Sequence, residues 1–135
     1  MPFYSTSDEF YATMQTFFDR MRDQQPNPVD TLVNNKISVR LKISHPSAEI
    51  AINARRNPVD VSFGDQIKWK PELDIQLSAD TLHSILLDEL SLSKALSDRK
   101  LKVSGPVWKT LTLADIFHQG KAIYPKILDE RNLSQ

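Results

Sequence analysis

From Lys36 to Ser44 the sequence KISVRLKIS alternates without a break, with Ile37, Val39, Leu41 and Ile43 on one phase and Ser38, Arg40 and Lys42 on the other. Strict period two predicts a strand with one buried and one wetted face. Ala48, Ile50, Ile52 and Ala54 repeat the pattern after the turn His45-Pro46-Ser47, and Val59, Val61 and Phe63 repeat it after Arg55 to Pro58. These three strands, joined by short turns, form an antiparallel meander. Leu73, Ile75 and Leu77 alternate with Asp74 and Gln76 in a fourth strand, and a fifth is expected around Leu101 and Val103, stopped by Gly105-Pro106.

Helical spacing takes over elsewhere. Thr6 with Glu9 three residues on is a capping-box pattern, and Phe10, Met14, Phe17, Phe18 and Met21 then form a wide apolar stripe until Asp23 to Pro28 breaks it. Ser78 opens a second helix whose apolar side is Leu82, Ile85, Leu86 and Leu90, and a short turn of helix follows from Leu92 to Leu96. The last helix runs from Trp108 to Leu128 with a start signal at Thr112 and Asp115, and Gly120 and Pro125 interrupt it. Interrupted hydrogen bonding makes that segment the expected lid.

Each strand is apolar on one phase only, so the sheet must cover that side with the helices. The fold class expected is α+β, a five-stranded, mainly antiparallel sheet with helices packed on one face. At 135 residues the chain suits a single domain over 1–135.

Composition narrows the function more by exclusion than by indication. Seventeen basic residues balance seventeen acidic ones, so no global field draws the chain to nucleic acid or an anionic membrane, and any membrane contact must be local and transient. With no cysteine there are no disulfides or thiolate nucleophiles, which fits a reducing, cytoplasmic setting. The start, Met-Pro-Phe-Tyr, followed by Asp8 and Glu9, lacks the features of a signal peptide, the apolar runs are too short to span a bilayer, and the end is no peroxisomal address.

Candidate chemistry is sparse. His45, His83 and His118 show no metal-site spacing, and only His83, beside the Leu82, Ile85 and Leu86 stripe, is placed to meet a polar ligand head. Asp60 and Asp74 fall on the polar phase of their strands, which argues against a buried carboxylate of an isomerase or hydrolase. The three glycines are too scattered to cradle a phosphate. Arg55-Arg56 and Lys68-Trp69-Lys70 are cationic turns that read first as solvated loops. Lys100 and Lys102 read as outward lysines that discourage edge pairing.

The run PELDIQLSADTLHSILLDELSLSKALSDRKLKVSG, from Pro71 to Gly105, resembles the central signature of the sterol carrier protein 2 domain family. The Pro-acidic strand, the Ser-capped apolar helix, the second short helix and the closing Lys100-Leu101-Lys102-Val103 with Gly105 all follow that pattern, and the order of elements extends it from Phe10 to about Phe117. Arg99 departs from it, standing where the family has glycine, and a different loop shape is expected there. The resemblance implies an apolar tunnel between sheet and helices that accepts a fatty acyl chain, acyl-CoA, phospholipid or sterol-like molecule, without catalysis, cofactor or metal.

The expected cavity wall combines Phe17 and Met21 of the first helix, Leu82, Ile85 and Leu86 of the second, and Trp108, Leu113, Ile116 and Phe117 of the last, facing Val61, Phe63, Ile75 and Leu77 of the sheet. About ten buried methylenes supply roughly 8 kcal/mol before ordering costs, which permits up to about micromolar binding. The alternative is a monomeric or dimerising interaction module with a filled core and an exposed patch near Trp108 or Phe3-Tyr4.

Overall fold

The structure is a computed structural model that describes residues 3–22, 37–53, 60–64, 70–106, 109–110 and 113–131. Helix α1 covers Ser7–Arg22, and its start uses the expected cap: the Glu9 amide donates to Thr6 Oγ1 at 3.1 Å, while Glu9 Oε1 accepts from the Ser5 amide at 3.2 Å. Strands β1 (Ser38–Ser44), β2 (Ala48–Asn53), β3 (Asp60–Phe63), β4 (Leu73–Ser78) and β5 (Lys102–Ser104) form a sheet of order β3-β2-β1-β4-β5. All pairs are antiparallel except β1 with β4.

Register converts the sequence alternation into two continuous faces. Phe63, Ile50, Leu41, Ile75 and Val103 stand side by side across all five strands, and Val61, Ile52, Val39 and Leu73 make the next row. These rows form the inner face. Outside, Ser62, Ala51, Arg40, Asp74 and Ser104 align, with Arg40 and Asp74 ion-paired between adjacent strands. That pairing holds the Asp74 carboxylate on the outer face, where its phase predicted it.

Between β4 and β5 the chain makes helices α2 (Ala79–Leu86) and α3 (Leu92–Ser97), each capped by a serine: Ser78 Oγ accepts from the Thr81 amide and Ser91 Oγ from the Lys94 amide. Helix α4 covers Ala114–Glu130 and packs on α1 and α2, while α1 rests on β2. Arg99 adopts the left-handed backbone, φ 61°, that glycine adopts freely, at a steric cost of about 1–2 kcal/mol for the arginine. Gly105, at φ 113°, is irreplaceable for a second reason, since an added Cβ would strike the Glu72 carbonyl oxygen.

Helix α4 departs from the sequence expectation. It runs unbroken through Gly120 and Pro125 and begins at Ala114 after Leu113, which offers no side-chain cap. Gly120 is not a weak point: it is buried, and a Cβ there would lie 2.5 Å from the Phe17 ring and 3.3 Å from Leu86. The glycine lets α1 and α4 approach closely, a packing role that period counting cannot distinguish from a break.

Candidate functional site

The apolar layer between the sheet's inner face and the helices holds the residues nominated for a cavity wall. Phe17, Met21, Ile75, Leu77, Leu82, Ile85, Leu86, Leu113 and Phe117 are buried in one cluster, and Val61 and Phe63, half-buried on the edge strand β3, pack against it. Trp108 and the side chain of Ile116 lie outside the described residues, as do the Arg55-Arg56 turn, Lys68-Trp69 and the Asp23 to Pro28 connector. Amphipathic spacing on α1 and α2 suffices to bring these side chains together, because both stripes face one sheet surface.

The layer also contains a polar chain that no spacing announces. Tyr4 Oη lies 2.5 Å from Tyr124 Oη, and Tyr124 Oη lies 2.7 Å from His83 Nδ1, so the N-terminal segment, α4 and α2 meet at one buried point. Near them the Thr13 hydroxyl donates to the Glu9 carbonyl at 3.0 Å.

Burial shapes the acidity of these groups. It pushes the Tyr4 phenol up to about 12 and raises that of Tyr124 further, helped there by the neighbouring Tyr4. Desolvation lowers the basicity of His83, against the opposing pull of Glu89 and Asp80. The residue nominated to meet a polar ligand head is therefore already occupied through Nδ1, and the Phe3 ring stacks on it with centroids 3.8 Å apart. Phe3 and Tyr4, nominated as a docking patch, are consumed in the same arrangement: Tyr4 is buried, and the Phe3 amide donates to Asp80 at 2.8 Å.

One buried polar atom stands apart. Thr110 is fully buried, and its Oγ1 has no hydrogen-bond partner among the described residues. It lies in the connector between β5 and α4, held by the ion pair of its neighbour Lys109 with Glu72 and followed by the buried Leu113. An unanswered hydroxyl in an apolar setting costs about 1–3 kcal/mol, and a ligand carbonyl or hydroxyl would remove that cost. Sequence reading missed Thr110 because a threonine in a loop carries no signal until its burial is known.

Comparison with known proteins agrees with this architecture. The sequence matches the model of the SCP-2 sterol transfer family over residues 18–118. Among curated proteins no sequence match is found. The solution structure of sterol carrier protein domain 2 of Helicoverpa armigera superposes with a TM-score of 0.65 at 18% identity, covering 83% of this chain and 87% of that one. The apo form of sterol carrier protein 2 from Yarrowia lipolytica gives 0.63 at 16% identity over 85% and 91% of the two chains. A ubiquinone synthesis protein, UbiJ-SCP2, gives 0.58 at 14% identity over 82% and 90%. At such identities the structures establish a shared fold, whereas the family model covers most of the sequence, and the chain belongs to the SCP-2 sterol transfer family.

Proposed function

We propose that this chain is a single, non-catalytic domain that binds one apolar, lipid-like molecule between the inner sheet face and helices α1, α2 and α4, and passes it on. The observation that carries the reading is the family match over residues 18–118, which contains the last turn of α1, the whole sheet and every nominated wall residue except Phe17. Two features support it. The wall is contributed by three separate helices and a sheet, so a ligand can enter by separating layers without unfolding any element. The buried Thr110 hydroxyl just before α4 offers a hydrogen-bonding group that would suit an amphiphile with one polar atom there, such as an acyl ester, a fatty acid or a sterol-like alcohol.

The setting we infer is the cytoplasm; among the described residues no helix is long and apolar enough to cross a membrane. The test is extraction of the freshly purified full chain with organic solvent, followed by lipid mass spectrometry, alongside titration with a fluorescent fatty-acid analogue. A co-purifying lipid, or saturable uptake near micromolar concentration that unlabelled fatty acid reverses, is the expected result. Protein that emerges free of lipid and takes up none of a fatty acid, a phospholipid or a sterol probe overturns the reading.

A further inference from the structure

We propose that a cleft at the sheet end where β1 and β4 terminate is a binding site for a phosphate-class anion. The cleft measures about 370 Å³, and four cations line it: Lys42 of β1, Lys102 of β5, and Arg99 and Lys100 of the turn before β5. Among the described residues no carboxylate belongs to the lining, and the hydroxyl of Ser44 adds a neutral donor. This convergence is not a by-product of a basic protein, because the chain as a whole carries seventeen charges of each sign.

Pairing elsewhere sharpens the contrast. Arg20, Arg40, Lys94, Lys109 and Lys121 each hold a carboxylate, whereas among the described residues none of the four cleft cations has an ion-pair partner. The acids close by are committed or lie to one side. Asp98 pairs with Lys94, and Glu49, opposite Lys42 on β2, lines a neighbouring cleft that Lys42 also borders, without forming an ion pair with it.

Sheet register explains why the charges meet. Lys42, Gln76 and Lys102 are lateral neighbours on the outer face of β1, β4 and β5. Strand spacing sets the two lysine backbones roughly 10 Å apart, with an uncharged glutamine between. Arg99 and Lys100 approach from the turn, and Arg99 does so from a left-handed backbone at φ 61°. Four unneutralised cations around one concavity repel one another, and a multiply charged anion relieves that repulsion. A group with several oxygens and about two negative charges meets the arginine fork and more than one lysine together, which a lone carboxylate does not. Ile43 and Leu77, inner-face residues at the strand ends, also touch the cleft, so the phosphate can belong to a free metabolite or to a lipid head group. The inference stands whether or not the apolar layer binds lipid.

The test is an NMR titration of the isotope-labelled full chain with inorganic pyrophosphate at fixed ionic strength. Saturable amide shifts confined to residues 42–44, 76–78 and 99–103 are expected. The double variant Arg99→Gly/Lys102→Gln should weaken binding about tenfold, roughly threefold for each exposed cation removed. Glycine accepts the backbone angle at position 99 without strain, so a melting temperature no lower than that of the parent shows that lost binding is not lost folding. Lys70→Gln/Lys126→Gln, which removes two exposed cations outside the cleft, should leave binding unchanged. Vesicles of phosphatidylcholine with phosphatidic acid separate the sources: sedimentation with them, reversed by pyrophosphate and lost in Arg99→Gly/Lys102→Gln, assigns a lipid head group, and pyrophosphate binding without sedimentation assigns a soluble phosphate. Shifts that follow ionic strength alone, or a double variant that binds pyrophosphate like the parent, overturn the proposal.

Discussion

The two ends of α4 are held in different ways. Beyond its first turn and a half Gly120 seats against Phe17 and Leu86, Lys121 pairs with Asp88, Tyr124 joins Tyr4 and His83, and Ile127 and Leu128 are fully buried; beyond them Glu130 takes a two-point ion pair from Arg20 at 2.7 and 2.5 Å. At its start Leu113 provides no side-chain cap, and Thr110, three residues earlier, is buried with an unanswered hydroxyl. A helix fastened this way is expected to yield first at its beginning, where the Thr110 hydroxyl is unmatched among the described residues. Because the helix runs unbroken through Gly120 and Pro125, opening is expected at its start and not at those residues.

Leucine truncation at the two ends tests this difference with the largest expected effect. Leu128→Ala should cost about 4 kcal/mol, because the tightly packed surroundings relax little around the void. Leu113→Ala should cost about 2 kcal/mol, the low end for such changes, if the start of the helix borders space that a ligand fills. Urea unfolding of both variants checks the order. Equal costs would break the contrast and favour a uniformly packed layer.

Tyr124→Phe comes next, at about 2 kcal/mol, because it strands the Tyr4 hydroxyl and His83 Nδ1 together. The same chain predicts a pH response. Burial holds the folded pKa of His83 below the ordinary value of about 6.5, so the unfolded chain takes up the proton first as pH falls. The contribution of neutral His83 is complete above that unfolded value and declines as pH drops through it toward the folded one. Stability measured between pH 7 and pH 5 should fall more steeply in the parent than in His83→Gln. Identical slopes would remove His83 from the response.

The alternation of Ile37 to Ile43 and Leu73 to Leu77 was sufficient to assign both faces of the sheet, and Thr6 with Glu9 marked the helix start, because those signals are local. Period two states which way a side chain points, not which strand lies beside it, and the parallel pairing of β1 with β4 left no trace in the pattern. Gly120 carried two meanings, breaker and close-contact residue, and only the position of Phe17 decides between them. The Tyr4–Tyr124 contact joins residues 120 positions apart, beyond the reach of any window. The cavity wall was legible as a set of apolar stripes, while Thr110, whose significance lies in a missing partner, and the cleft cations, gathered by register, were not. Lys100 and Lys102 were visible as outward lysines, yet their convergence with Lys42 needed the strand order.

Thr110→Val produces the smallest expected effect and makes the finest distinction. Valine keeps the shape of threonine and deletes the hydroxyl, so in the ligand-free protein the unanswered donor disappears and stability should rise by about 1 kcal/mol. If that hydroxyl anchors a bound amphiphile, the same change should weaken binding of an oxygen-bearing probe such as a fatty acid severalfold, while leaving a plain hydrocarbon of equal length unaffected. The opposite signs matter, because a general disturbance of the start of α4 would lower both stability and affinity. A gain in stability with unchanged affinity for both probes would show that Thr110 is merely an imperfection of packing and that the polar end of the ligand lies elsewhere.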